Sequence, residues 1–124
     1  MYNSRRLEKV ASLLKKEISL IIMYQLDNNL ILENFVSITK VEITADMQYC
    51  KILINSSASE TTKNQIVEQL NVNKNTIRYY LSQKISMKRV PELIFKKDKF
   101  FDEGLSVLKV LDELRSIDDD KKNL

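Results

Sequence analysis

The stretch FVSITKVEITADMQYCKILIN, residues 35–55, decides the fold. Its first part, residues 35–44, is rich in β-branched side chains and reads as a strand. The apolar alternation changes phase within it. Val36 and Ile38 share one parity, Val41 and Ile43 the other. Strand side chains repeat every two residues, so such a change needs one inserted residue, and a bulge is predicted near Thr39-Lys40. Ala45-Asp46-Met47 reads as a short turn. Residues 48–55 resume as a strand with Cys50, Ile52 and Ile54 on one parity. The two runs make a hairpin.

Upstream the period changes to that of a helix. Over residues 5–24, Leu7, Val10, Ala11, Leu14, Ile18, Ile21 and Ile22 recur at spacings of three and four, which gives one apolar stripe. Ser4 is the expected N-cap. Residues 26–34 read as a loop, because Asp and Asn side chains bond nearby backbone and favour turns.

Downstream, Ser57-x-x-Glu60 and Thr62-x-x-Gln65 both fit a capping box, so a helix is predicted to start within 58–63. Ile66, Val67 and Leu70 are its apolar positions. The pattern falters at Asn71-Val72-Asn73-Lys74-Asn75 and resumes with Ile77, Leu81 and Ile85. Two helices joined by a tight kink are expected, with Asn tolerating left-handed geometry at the joint. Pro91 opens the last strand, a position a strand tolerates for proline, with Leu93 and Phe95 on one parity. Lys96-Lys97-Asp98-Lys99 ends it. Residues 105–115, around Leu108, Leu111 and Leu114, read as a short final helix before an acidic tail.

The reading is therefore one α+β domain over residues 1–99, ordered α-β-β-α-kink-α-β, and a C-terminal short helix and acidic tail over 100–124. The small three-stranded sheet carries its helices on one face and leaves the other for solvent or a partner.

Composition removes most catalytic kits. The 124 residues contain no His, one Cys and one Gly. Without His there is no Ser-His-Asp triad and no imidazole metal site. One Cys allows neither a zinc ribbon nor an intramolecular disulfide. One Gly allows neither a phosphate-cradling Walker loop nor a dinucleotide fingerprint. The paired carboxylates, such as Asp102-Glu103 and Asp118 to Asp120, lie in tail sequence that looks solvated, so neither an enzyme, a metal site nor a cofactor is expected. Cys50 alternates with Ile52 and reads as a small buried hydrophobe. The longest apolar run is Leu20-Ile21-Ile22-Met23, far below the roughly 20 residues a membrane span needs. No secretory signal is read at the N-terminus.

The charge layout is more informative than the net charge of +3. Residues 1–16 carry +4, 17–70 carry −4, 71–99 carry +6 and 100–124 carry −3. Two basic segments brought together by the fold would make the footprint of a phosphate-backbone binder, although charged residues also simply solvate helix faces. The basic set is Arg5, Arg6, Lys9, Lys15 and Lys16 on the first helix, with Lys74, Arg78, Lys84, Lys88 and Arg89 around the helix after the kink. Arg offers bidentate contacts to phosphate and Lys a point charge. Tyr79 and Tyr80 point about 100° apart on a helix, so one is expected in the core and the other at a rim, where it can stack on a base. Tyr49 is expected to pack within its strand.

Four stretches, in order and in register, resemble one family. Arg89-Val90-Pro91-Glu92-Leu93-Ile94-Phe95 looks like the signature of ribosome-binding factor A. Arg6 to Val10 with Glu17-Ile18 resembles the family's opening helix, and Val41 to Ile52 its hairpin. Asp98 and Asp102-Glu103-Gly104 resemble the stretch after its last strand. The likeness covers residues 4–112 and implies a fold similar to a type II KH domain. The family's Ala-x-Gly kink aligns with Asn73-Lys74-Asn75, and its Asp-Pro-Arg-Leu-Gly loop with Asp27-Asn28-Asn29-Leu30-Ile31. The resemblance implies an RNA-binding role without catalysis. Such a factor would bind the small ribosomal subunit and its rRNA, and would aid late subunit maturation and rRNA processing. It would act as a monomer, without a membrane or small-molecule substrate, in the cytoplasm or alternatively a plastid stroma. Arg5, Arg6, Lys9, Lys16, Asn73, Lys74, Asn75, Arg78, Lys84, Lys88 and Arg89 are the expected RNA contacts. Two other readings stay open at this point: a generic KH-like module for single-stranded RNA, and a protein-interaction subunit.

Overall fold

The computed structural model describes residues 4–99; the predicted helix at 105–115 and the tail lie outside the described residues. The elements are α1 (Ser4–Tyr24), α2 (Asn29–Glu33), β1 (Ser37–Ile43), β2 (Tyr49–Asn55), α3 (Glu60–Val72), α4 (Lys74–Lys84) and β3 (Glu92–Lys97). The sheet order is β1-β2-β3, with β1 antiparallel to β2 and β2 parallel to β3. The hairpin accounts for the first pairing. The α3–α4 pair is the long crossover a parallel pairing requires.

The bulge is where the apolar phase placed it. Ile38 pairs with Ile54 and the next partners are Lys40 and Leu53, which leaves Thr39 as the extra residue. That insertion lets Ile38, Val41 and Ile43 stay on one face, opposite Ile54, Ile52 and Cys50. Leu93 and Phe95 of β3 join them through their pairing with Cys50 and Ile52. The helices cover this face. Leu14, Ile18, Ile21 and Ile22 from α1 meet Ile66 and Leu70 from α3 and Ile77 and Leu81 from α4 in one core cluster. Cys50 is fully buried in it, and burial pushes its thiol up to about 12.

The turn between β1 and β2 is tied by side chains. Thr44 Oγ1 donates to Asp46 Oδ1 at 2.7 Å, and Asp46 Oδ1 also accepts the Gln48 N–H at 3.0 Å. These two hydrogen bonds hold the Asp46 carboxyl below its usual range, the Thr44 bond having the larger effect. Met47 takes φ 59°, a left-handed position the turn needs.

Three sequence expectations change. The 26–34 loop contains α2, because Asn28 accepts the Ile31 N–H at 3.2 Å as an N-cap while Ile31 is drawn into the core. The α3 N-cap is Ser59, whose Oγ accepts the Thr62 N–H at 3.3 Å; neither predicted capping box is used. The kink is not left-handed. Asn73 sits at φ −93°, ψ 7°, a region open to any L-residue, so the joint needs no Gly.

Candidate nucleic-acid interface

The α1 cations come first. Arg5, Lys9 and Lys16, with Ser12, fall at spacings of four, three and four, so they share a stripe, and all are exposed. The stripe from Arg5 to Lys16 runs about 16 Å along the helix. Arg5 and Lys9 border one shallow depression with Glu8 and Ser12. Arg6 lies one position round the helix and is exposed as well.

The second set is divided. α1 packs against α4, so the helices that carry much of the two basic segments are adjacent. Lys84 stands at the end of α4, where a cation complements the helix dipole, and shares a depression with Glu17, Leu20 and Tyr24 of α1. Lys88 and Arg89 are exposed on the link to β3, and Asn75 is exposed at the start of α4. Asn73 and Lys74 are half-buried. Asn73 Nδ2 donates back to the Gln69 carbonyl at 2.8 Å, so its amide serves the kink itself.

Arg78 has a different task from the one expected. Its Nη2 donates to the Val90 carbonyl at 2.9 Å, and its Nη1 lies 3.3 Å from Glu92 Oε1. The guanidinium is a strut between α4 and the entry to β3, not an outward-facing cation. The sequence could not show this, since an Arg one turn into a helix looks the same whether it faces water or a strand.

Tyr79 and Tyr80 divide as their spacing requires. Tyr80 packs against the core, Tyr79 is exposed, and their rings meet edge-on with centroids 5.6 Å apart.

The sequence reading left the second sheet face for solvent or a partner without naming the residues on it. Tyr49, expected to pack, is 58% exposed at the start of β2. Lys40, Lys51 and Lys96 share that face with it, on the parity opposite the core residues. Glu42 bridges Lys51 at 3.1 Å and Lys40 at 3.2 Å. Lys51 foremost, and then Lys40, hold the Glu42 carboxyl below its usual range. The signal was present as the alternation Leu93-Ile94-Phe95-Lys96, which puts a lysine outside whenever Phe95 is inside. Among the described residues there is no cluster of three or more His, Cys, Asp or Glu suited to a metal ion, and no helix long and apolar enough to cross a membrane.

Three mixed strands with helices on one face, two of them joined by a kink, define an α+β protein of KH-like fold. Solved structures share it. A ribosome-binding factor A homologue from Thermotoga maritima superposes with a TM-score of 0.70 at 23% identity, over 80% of this chain and 92% of that one. The crystal structure of ribosome-binding factor A from Thermus thermophilus gives 0.63 at 16% identity, over 73% and 93%. A homology model of the Thermus thermophilus factor, fitted into the cryo-EM map of a 30S–RbfA complex, gives 0.57 at 16%, over 69% and 88%. The family model for ribosome-binding factor A matches residues 6–111. The ribosome-binding factor A of Prochlorococcus marinus strain AS9601 is 54% identical over 116 residues, 94% of this chain and 89% of the relative. That of Picosynechococcus sp. PCC 7002 is 35% identical over 114 residues, 92% and 87%. The chain belongs to the ribosome-binding factor A family.

Proposed function

We propose that this protein binds the small ribosomal subunit through its rRNA and assists late maturation of that subunit, including rRNA processing, without catalysing a reaction. The observation that carries the reading is family membership across nearly the whole chain. A relative placed in the map of a 30S complex supports the choice of subunit. The exposed cations of α1 and of the α4–β3 segment supply the chemistry for phosphate.

The mode of action is a shift of populations. A factor that binds one rRNA conformation more tightly than another holds the assembling subunit in that conformation, by no more than its difference in affinity. A monomer acting in the cytoplasm fits this role. The contacts we assign to rRNA are Arg5, Arg6, Lys9, Lys16, Asn75, Lys84, Lys88 and Arg89, with Asn73 and Lys74 shaping the kink.

The test is cosedimentation with separated small subunits, large subunits and whole ribosomes across a salt series. Binding to free small subunits that weakens steeply with salt is expected. Binding to none of the three, or equally to large subunits, overturns the reading.

A further inference from the structure

We infer that the uncovered face of the sheet is a second nucleic-acid surface, one that takes a single-stranded RNA segment along β2. The inference rests on the proposed rRNA-binding role and names an additional contact surface for it.

Two adjoining depressions share Lys51. One is bordered by Tyr49, Ile94, Glu42 and Thr44, the other by Leu53, Lys96, Lys97, Asp98 and Lys99. Together they follow β2 from Tyr49 to Leu53, about 13 Å at the rise of a strand. Tyr49 stands at one end as an exposed ring, and Ile94 beside Lys51 is 45% exposed. The ring is held on rigid backbone, since the Tyr49 N–H donates to Thr44 Oγ1 at 3.1 Å and its carbonyl accepts the Thr44 N–H at 3.0 Å.

Charge selects the occupant. The carboxylates on this side already have partners. Glu42 holds two lysines, Glu92 accepts from Arg78, and Asp98 accepts from the Thr39 hydroxyl at 2.6 Å. Lys96 and Lys99, in contrast, form no ion pair among the described residues. An exposed ring on a sheet beside unpaired lysines fits a base that stacks and a backbone phosphate that is neutralised, as in single-strand binding generally. A protein partner would have to offer anions in the same places.

Titration of the full-length, isotope-labelled protein with a uridine dodecamer tests this without any substitution. Amide shifts along Tyr49, Lys51, Leu53, Ile94 and Lys96 are expected. Shifts confined to α1 and α4, or no binding at all, overturn the proposal.

The variant Y49A/K96A/K99A changes only exposed side chains, and an unaltered circular-dichroism melt checks its fold. Its dodecamer affinity should fall about tenfold or more. Its log–log salt slope should flatten by about 1.4, for two lost phosphate contacts on a single strand. Unchanged affinity and slope overturn the proposal. Cosedimentation of the same variant separates the two readings. If the unaltered protein binds small subunits and the variant binds them equally well, the sheet face is excluded and the ribosomal role stands. If the unaltered protein binds no subunits, the ribosomal role falls, and the dodecamer titration alone decides the sheet face.

Discussion

Asn71 and Phe95 are joined by two hydrogen bonds. Asn71 Nδ2 donates to the Phe95 carbonyl at 3.0 Å, and Asn71 Oδ1 accepts the Phe95 N–H at 2.9 Å. β3 is an edge strand, so both groups point away from β2 and would otherwise lack a partner. The side-chain amide of α3 stands in for a fourth strand at one residue. It closes the edge beside the residue that fills the core and fixes the last turn of α3 against the sheet.

Replacing Asn71 with Ala should therefore destabilise the domain by about 1–3 kcal/mol, through a half-buried N–H and C=O left without partners. Asn64→Ala, at an exposed site on the same helix, should change stability little and serves as the control. Urea denaturation of the two variants checks the contrast. Faster hydrogen exchange at the Phe95 amide in the Asn71 variant alone would locate the cause. Equal stabilities would remove Asn71 as an edge clasp.

Arg78 and Arg89 should separate stability from binding. Arg78→Ala strips partners from the Val90 carbonyl and from Glu92, so its stability should fall by about 1–3 kcal/mol. Arg89 is exposed, and Arg89→Ala should melt as the unaltered protein does. If Arg89 contacts a phosphate, its loss flattens the salt dependence of small-subunit binding by about 0.7–0.9. A melt and a cosedimentation series on both variants decide this. An Arg78 variant of full stability would sink the strut assignment.

The ion triad on the open sheet face gives a pH dependence of known sign. Glu42 is more acidic folded than unfolded, because Lys51 and then Lys40 favour its charged form. Its contribution is complete above the ordinary value of 4.5 and is lost as pH falls through the lower folded value. Both partners are more than a third exposed, so solvent screening keeps the contribution below about 1 kcal/mol. Urea midpoints measured from neutral pH down to about pH 3 should fall less for Glu42→Gln than for the unaltered protein. An identical fall would show that the triad does not matter to stability.

Cys50 reports on opening of the core. Its thiol is fully buried and pushed up to about 12, so both access and thiolate are lacking near neutral pH. The native protein should react with a thiol reagent only as fast as it opens, while the denatured chain should react rapidly at its single cysteine. Rapid modification without loss of structure would contradict this burial. Leu93→Ala, in the same layer, should cost roughly 2–5 kcal/mol and speed the reaction correspondingly.

The elements themselves were legible because each depends on local period and local chemistry. The parity change between Ile38 and Val41 located the bulge, since no other arrangement keeps both residues inside. The same parity rule named Cys50, Ile52, Ile54, Leu93 and Phe95 as core. The α2 turn escaped notice because five residues give too little periodicity, and what makes them helical is the burial of Ile31 and the cap from Asn28. The α3 cap was misplaced because several hydroxyls near the helix start offer the same short motif.

By itself, then, the sequence determined the α+β class, the hairpin and its bulge, the broken helix pair, the core and the two basic segments, all carried by spacing along the chain. Only the tertiary structure decided which polar side chains are outward and which are committed. Asn71 is a strand clasp, Arg78 a strut, Tyr49 an exposed ring and Lys96 an exposed cation because β3 lies parallel to β2 beneath α3 and α4. The partners of Asn71 and Arg78 are 12 to 24 residues away. Hydrogen bonds and ion pairs are short-ranged, so a polar side chain's role depends on what the fold brings within about 3 Å of it.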